Sequence, residues 1–275
     1  MDNYGIFSWF GFALTMPEKM EYLKKYGFKH ICFWWGDEFN ELDGDYRNCA
    51  ELADKYGLIT DNAHIPYFTA DDIWYDNISA QQVMDKHIFE VEQAYRSGID
   101  TLVFHPFNIK KPVDGDYELF KYRINVLGEW ANKCKVKIAI ENLADNSTLR
   151  EILDMTSDNE YIGLCFDSGH NNLAEKDDFS LIDKYANRLF AIHMHDNNSL
   201  SDQHILPFEG NVNWSSLIKS IEASGYEKSF MLESSCPNFV DDVEHYGCDL
   251  GKTITIDEYL EQASISACKA MSINK

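Results

Sequence analysis

The chain has 275 residues, 45% of them hydrophobic and 14% aromatic, which is ample for one large core and far from the composition of disorder. Its 46 acidic and 24 basic residues leave a formal net charge of −22. Phosphate backbones and anionic membrane surfaces are gripped mainly by Lys and Arg, so nucleic acid and membranes are excluded as expected partners.

The first strand-like run covers residues 4–10 and is followed by an amphipathic stretch at 17–26. Strand-like runs recur at 30–35, 58–65, 101–107, 137–143, 161–167, 189–195 and 228–233. Helical patterns fall between them, clearest over 46–56, 80–96, 119–133, 149–155 and 214–224. Gly27, Gly57, Gly98 and Gly225 stand where several helices stop ahead of the next strand, the position of a left-handed cap. Strands separated by helices imply βαβ units and a parallel sheet. Eight such units favour one (β/α)8 TIM barrel spanning 1–275 over an open doubly wound sheet, and no GxGxxG follows the first strand. Residues 234–256 break the rhythm with a long connection, which reads equally as a lid, a subunit contact or an ordered surface excursion. Gly247 and Gly251-Lys252-Thr253 lie in it, but their spacing is one residue short of a phosphate loop. The seven cysteines form no CxxC pair, the chain does not open on a secretory signal, and no apolar run reaches the ~18 residues of a membrane span. A cytoplasmic protein with reduced, mostly buried thiols is expected.

Metal-type ligands fall at the strand ends. His64 closes the third strand, His105 the fourth, Glu141 the fifth, Asp167 and His170 the sixth, His193 and His195 the seventh, and Glu233 the eighth. Asp202 and His204 follow in the loop after the seventh. In a parallel barrel all of these ends open on one face, where active sites sit. Taken singly, each is more often a hydrogen-bonded structural residue or a solvated charge. Together, carboxylates and imidazoles packed into one mouth need a compensating cation. Mixed imidazole and carboxylate donors suit zinc, manganese, iron or cobalt better than calcium or magnesium, with zinc the first choice. His195 lies two residues after His193 and faces the same side, where a supporting or substrate contact is expected as much as ligation; Met194 between them faces the helical layer.

Four further signatures accompany these residues: Glu141-Asn142, Asp167-Ser168-Gly169-His170, His193-Met194-His195-Asp196, and Asp202-Gln203-His204 followed by Glu209-Gly210 and Trp214. In this order they resemble the xylose-isomerase-like barrel superfamily, specifically the sugar phosphate isomerase/epimerase proteins and their relative endonuclease IV. The resemblance runs from the first strand through Glu233. It implies one divalent metal on Glu141, Asp167, His193 and Glu233, with Glu141 and Glu233 also flanking a sugar or polyol as an acid/base pair. It also implies His170 touching the substrate's oxygens, and His64, His105, His195, Asp202 and His204 around it as substrate contacts or further ligands. The implied reaction removes a proton beside a carbonyl, passes through an enediolate-type intermediate, and returns the proton elsewhere.

Two departures matter. Ketose 3-epimerases of this superfamily carry a further Glu and an Arg where this chain has Ser147 and Ser199. No phosphate cradle is evident either, since Lys110 and Lys111 read as solvated loop lysines. Endonuclease IV supplies the alternative, a trinuclear zinc phosphodiesterase. There His64, His105 and Glu141 would hold one ion, Glu141, Asp167, His193 and Glu233 a second, and His170, Asp202 and His204 a third. The net charge of −22 weighs against it. A non-catalytic metal-binding barrel is the third reading, and homo-oligomerisation is left open.

Overall fold

A computed structural model describes residues 3–143, 145–236 and 254–274. Eight parallel strands run β1 (Tyr4–Phe7), β2 (His30–Trp34), β3 (Ile59–His64), β4 (Thr101–Phe104), β5 (Lys137–Glu141), β6 (Ile162–Asp167), β7 (Leu189–His193) and β8 (Phe230–Leu232). Their spatial order is β7-β6-β5-β4-β3-β2-β1-β8. A parallel bridge from Met194 to Leu232 joins the two ends and closes the barrel. The main helices are α1 (Met16–Lys25), α2 (Asn40–Asp43), α3 (Cys49–Tyr56), α4 (Ile78–Arg96), α5 (Tyr117–Cys134), α6 (Asn146–Met155), α7 (Ser168–Ala174), α8 (Ser180–Lys184), α9 (Trp214–Ala223) and α10 (Ile256–Met271). The expected (β/α)8 barrel is therefore the observed fold. No described helix is long and apolar enough to cross a membrane.

Strands end earlier than their apolar runs suggested. β1 stops at Phe7 and β4 at Phe104, because the backbone leaves the ladder at the mouth to enter the βα loops. Several helices begin earlier than their periodicity suggested, because polar caps precede it, whereas α3, expected from residue 46, begins at Cys49 after a 3-10 turn at Tyr46–Asn48. Asn77 accepts from Ala80 N, and Asp116 accepts from Leu119 N. The short helices α2, α7 and α8 carry too few turns to display a period. Most of the 234–256 connection, including Gly247 through Thr253, lies outside the described residues.

Alternation along each strand sends one side chain to the helical layer and the next inward. The outer layer holds the large core, with Phe10, Phe33, Trp35, Phe104 and Phe166 fully packed between strands and helices. A second, smaller buried cluster consists of Val103, Ala139, Cys165 and Ala191 together with Phe190. Two irregularities alter the parity. The β2–β3 register shifts between Ile31 and Cys32, leaving Asp61 as the extra residue, and the β6–β7 register shifts similarly at Phe190. Of the six described cysteines, only Cys268 is exposed, and none is paired.

Candidate metal centre

At the mouth, Glu141 ends β5 and is 1% exposed. Its Oε2 lies 3.2 Å from both His64 Nε2 and His105 Nε2. Its Oε1 is 3.5 Å from His193 Nδ1, which is itself 3.2 Å from Glu233 Oε1. Donor atoms of His64, Glu141, His193 and Glu233 thus lie within 4.8 Å of one another. Asp167 belongs to two adjoining groups, one with Glu141 and His170 and one with His195 and Glu233. A further group unites His170, His195, Asp202 and His204. All ten residues expected at the mouth are brought together there.

Three histidines are held as ligands usually are. His64 donates Nδ1–H to the carbonyl of Ile65, His170 to that of Asn142, and His204 to that of Glu233, at 2.8 to 3.0 Å. Each therefore directs Nε2 at a carboxylate: His64 at Glu141, and His170 and His204 at Asp202 Oδ2 from 3.1 and 3.2 Å. His204 occupies the left-handed region at φ 47°, a strained setting that its contacts must enforce.

The local sequence motifs explain this placement. Asp167 caps α7 by accepting from His170 N at 2.6 Å, which fixes where the His170 ring can go. Asn142 clamps the Asp167 backbone on both sides, accepting from its N–H and donating to its C=O. Ser168 Oγ bonds both the carbonyl and the N–H of His195, drawing that residue inward. A Cβ on Gly169 would lie 1.9 Å from His195 Cε1, so Asp-Ser-Gly-His and His-Met-His-Asp interlock only through that glycine. His195 is consequently 0% exposed and stands behind the cavity wall, its Nε2 3.0 Å from Asp167 Oδ1 and its ring stacked 3.9 Å from His204.

The loop carrying Asp202 and His204 hangs on Asp196. This buried carboxylate accepts from Asn197 N, Phe208 N, Val212 N and Trp214 Nε1 at 2.8 to 3.0 Å. Gly210 is required beside it, since a Cβ would meet Asn197 O and Asp196 Oδ1 at 2.3 Å. The Glu-Gly…Trp signature is therefore the scaffold of the loop.

The cavity under these groups has a volume of about 550 Å³. The same cavity is lined by an aromatic wall of Phe7, Trp9, Trp34, Tyr67 and Phe68, with Trp34 stacked on His64 and Tyr67 on His105. The sequence pattern missed this wall, because aromatic residues at strand ends are indistinguishable from core. No Lys or Arg lines the cavity among the described residues. Lys111 sits over the Tyr117 and Trp74 rings instead. Ser147 and Ser199 are spent on loop bonds to Asp145 and Asn211.

Charge is arranged to hold the carboxylates ionised. Burial opposes ionisation of Glu141, but His193, His105 and His64 outweigh it and hold the carboxyl well below its ordinary range. Burial is likewise overcome at Glu233, held at about 2 mainly by His193. Burial would lower His204, yet Asp202 raises it to about 10; burial is likewise overcome at His170 by Asp167 and Asp202, and at His193 by Cys165 first and then Glu233 and Glu141. His105 goes the other way, because its burial outweighs the pull of Glu141.

The residues present fit a divalent cation. Glu141 Oε1, Asp167 Oδ2, His193 Nδ1 and Asp202 Oδ1 are buried at the mouth and make no hydrogen bond. Buried polar atoms are almost always satisfied, so a cluster of lone-pair donors left open points to a ligand. Imidazole nitrogen and carboxylate oxygen together match zinc, manganese or cobalt.

Comparison with known proteins agrees with this architecture. The sequence profile described as xylose isomerase-like TIM barrel matches residues 20–253. A 110-residue segment is 34% identical to an uncharacterised protein of Sinorhizobium fredii, covering 38% of this chain and 35% of that one. A 164-residue segment is 24% identical to an uncharacterised protein of Methanocaldococcus jannaschii, covering 52% and 54%. These matches span only about a third and about half of the relatives' lengths. Among solved structures, L-ribulose 3-epimerase superposes with a TM-score of 0.76 at 17% identity, over 98% of this chain and 96% of that one. D-Psicose 3-epimerase from Clostridium cellulolyticum H10 gives 0.78 at 14%, over 98% and 99%. The 3-keto-D-glucoside 4-epimerase of E. coli gives 0.71 at 15%, also over 98% and 99%. At such identities the likeness establishes the fold alone. With the profile covering most of the chain, this chain belongs to the xylose isomerase-like TIM barrel family.

Proposed function

We propose that this protein is a divalent-metal-dependent isomerase or epimerase of a small sugar or polyol. The observation that carries the reading is the set of buried, hydrogen-bond-free donors on Glu141 and Asp202, which line a cavity of about 550 Å³, with those of Asp167 and His193 grouped beside Glu141. The sugar epimerases among the structural neighbours support it. So does the absence of Lys and Arg from the described lining, which suits a substrate without a phosphate.

Glu141, Asp167, His193 and Glu233 would hold the ion. A bound divalent cation would polarise a carbonyl or hydroxyl oxygen of the substrate and so acidify the neighbouring C–H. Glu141 and Glu233 approach His193 from different strands and are both ionised, the state a proton acceptor needs. One removes the carbon-bound proton and becomes protonated, leaving an enediolate-type substrate; it then returns that proton to the neighbouring carbon, whereas return to the opposite face requires the other carboxylate first to take up a proton from water. His170, Asp202 and His204 offer hydrogen bonds to hydroxyls at the rim. Phe7, Trp9, Trp34, Tyr67 and Phe68 supply apolar lining suited to the C–H side of a sugar.

A panel of ketoses, aldoses, inosose-like polyols and their phosphates, assayed with zinc, manganese and cobalt, tests the reading. Glu233→Gln should abolish turnover, and unchanged activity in that variant would refute its role. A second reading, the trinuclear phosphodiesterase, is favoured by the separate grouping of His170, Asp202 and His204. Metal analysis separates the two: about one ion per chain supports the isomerase, whereas three ions with cleavage at abasic sites would support the nuclease.

A further inference from the structure

Beneath the mouth lies a buried polar column that the chemistry above does not use. It begins at the opposite end of the barrel with Asp61, the extra residue of the β2–β3 irregularity. Because of that irregularity Asp61 and Asn62, although consecutive, both take part in the interior column instead of facing opposite sides. Asp61 Oδ2 accepts from Ser229 N at 3.3 Å and from Ser229 Oγ at 2.6 Å. His30 Nδ1 lies 3.5 Å from the same oxygen. Asp61 Oδ1 accepts from Asn62 Nδ2 at 3.1 Å.

That last bond decides how the Asn62 amide is turned. A carboxylate can only accept, so the Asn62 NH2 must face Asp61 and its Oδ1 must face the mouth. Two groups meet that oxygen. Cys32 Sγ donates to it at 2.8 Å, and His193 Nε2 lies 3.3 Å away. Asn62 and Cys32 are both 0% exposed, so no water can substitute for either bond. Since Oδ1 has no proton to give, His193 must supply one from Nε2. Its Nδ1, which makes no hydrogen bond, is then the nitrogen turned to Glu141 and Glu233.

We infer that Asn62 is a positioning residue that sets the tautomer of His193, with Asp61 as the anchor that stops the Asn62 amide from flipping. This rests on the reading of His193 as a metal ligand. It differs from the arrangement at His64, His170 and His204, where a backbone carbonyl takes the Nδ1 proton and Nε2 faces the site. His193 alone among these four is oriented by a side chain, and is presented through the opposite nitrogen.

The test uses zinc and the full-length chain labelled with 15N-histidine. Long-range 1H–15N spectra of the zinc-loaded wild type should show His193 with a proton on Nε2 and zinc on Nδ1. Zinc on Nε2 would overturn the inference. Zinc affinity, measured by competition with a chelator, should fall about 10- to 100-fold in Asn62→Leu, which keeps the volume but removes the acceptor. The double exchange Asp61→Asn with Asn62→Asp keeps an acceptor beneath His193 and should restore the wild-type spectrum and most of the affinity. A purely structural role would leave the nitrogen assignment of His193 unchanged in Asn62→Leu and gain nothing specific from the exchange. Should Asn62→Leu not fold, the wild-type spectrum decides by itself. A wild type that binds no zinc would sink the proposed metal enzyme together with this inference, whereas unchanged zinc affinity in folded Asn62→Leu would sink the inference alone.

Discussion

Asp61 and Glu141 stand at the two ends of one barrel interior, and both are almost wholly buried, at 4% and 1% exposure. They differ in how their oxygens are satisfied. Both Asp61 oxygens accept hydrogen bonds from neighbours that donate nowhere better, and burial is overcome there by His30, Lys228, Ser229 and Asn62 to hold the group at about 2. Glu141 is surrounded by imidazoles that can lose their protons, and its Oε1 makes no hydrogen bond at all. Asp196 repeats the first pattern, with four donors on one carboxylate. A saturated buried carboxylate organises the fold, while an unsaturated one among neutralisable donors is built to receive something.

The sharpest way to break this contrast is substitution at the two ends. Glu141→Gln removes the charge that His64, His105 and His193 share, and should lower kcat/KM by about 10³-fold or more with loss of bound metal. Its circular dichroism and melting should stay close to wild type, and a variant that keeps its metal would erase the distinction. Asp61→Ala should show the reverse emphasis. It strands the Ser229 and Asn62 donors in a dry interior, and should cost about 3 kcal/mol in denaturant unfolding. A loss below about 1 kcal/mol would mean that the saturated end is not structural.

The contrast also predicts a proton count. His204 sits at about 10 against an ordinary 6.5, and His170 and His193 are likewise raised, so the metal-free mouth holds imidazolium protons at neutral pH. Metal ligation needs neutral imidazole, so binding must release protons and the affinity must rise with pH, about tenfold per pH unit for each proton released. Calorimetry in buffers of different ionisation enthalpy measures this directly. Binding without proton release would show that the imidazoles are not ligands. Without metal the sign for stability is opposite: the contribution of His204 is complete below about 6.5 and disappears as pH rises through about 10. Glu233 contributes above its ordinary 4.5 and loses that contribution as pH falls through about 2.

The smallest expected effect concerns Lys111, the residue nearest to a phosphate-binding candidate. Its Nζ lies 4.4 Å from the Tyr117 ring centre, so Lys111→Ala should cost about 0.5–1 kcal/mol of stability through the lost cation–π contact. Activity should stay within about twofold. A selective loss of activity on phosphorylated substrates would overturn the reading of an unphosphorylated ligand.

Much of the barrel was legible in the order of residues, because its causes are local. Apolar runs of strand length, amphipathic stretches between them and glycines such as Gly57 at helix ends are each set by a few neighbouring residues. The ten mouth residues were legible too, since a parallel barrel brings every strand's carboxyl end to one face whatever the details. Other features depended on partners far along the chain. Asp61 reads as an ordinary strand-edge charge until Ser229, 168 residues away, closes on it. Asn62 has no signature, because its meaning comes from Cys32 and His193 across the interior. Gly169 and Gly210 look like loop glycines, and only the approach of His195 and of Asn197 shows that a side chain there would collide. Sequence alone therefore determined the class of fold and which His, Asp and Glu side chains meet at its mouth. Tertiary structure decided which buried polar groups are satisfied and which are left open, because satisfaction is a matter of three-dimensional hydrogen-bond geometry that no run of neighbouring residues encodes.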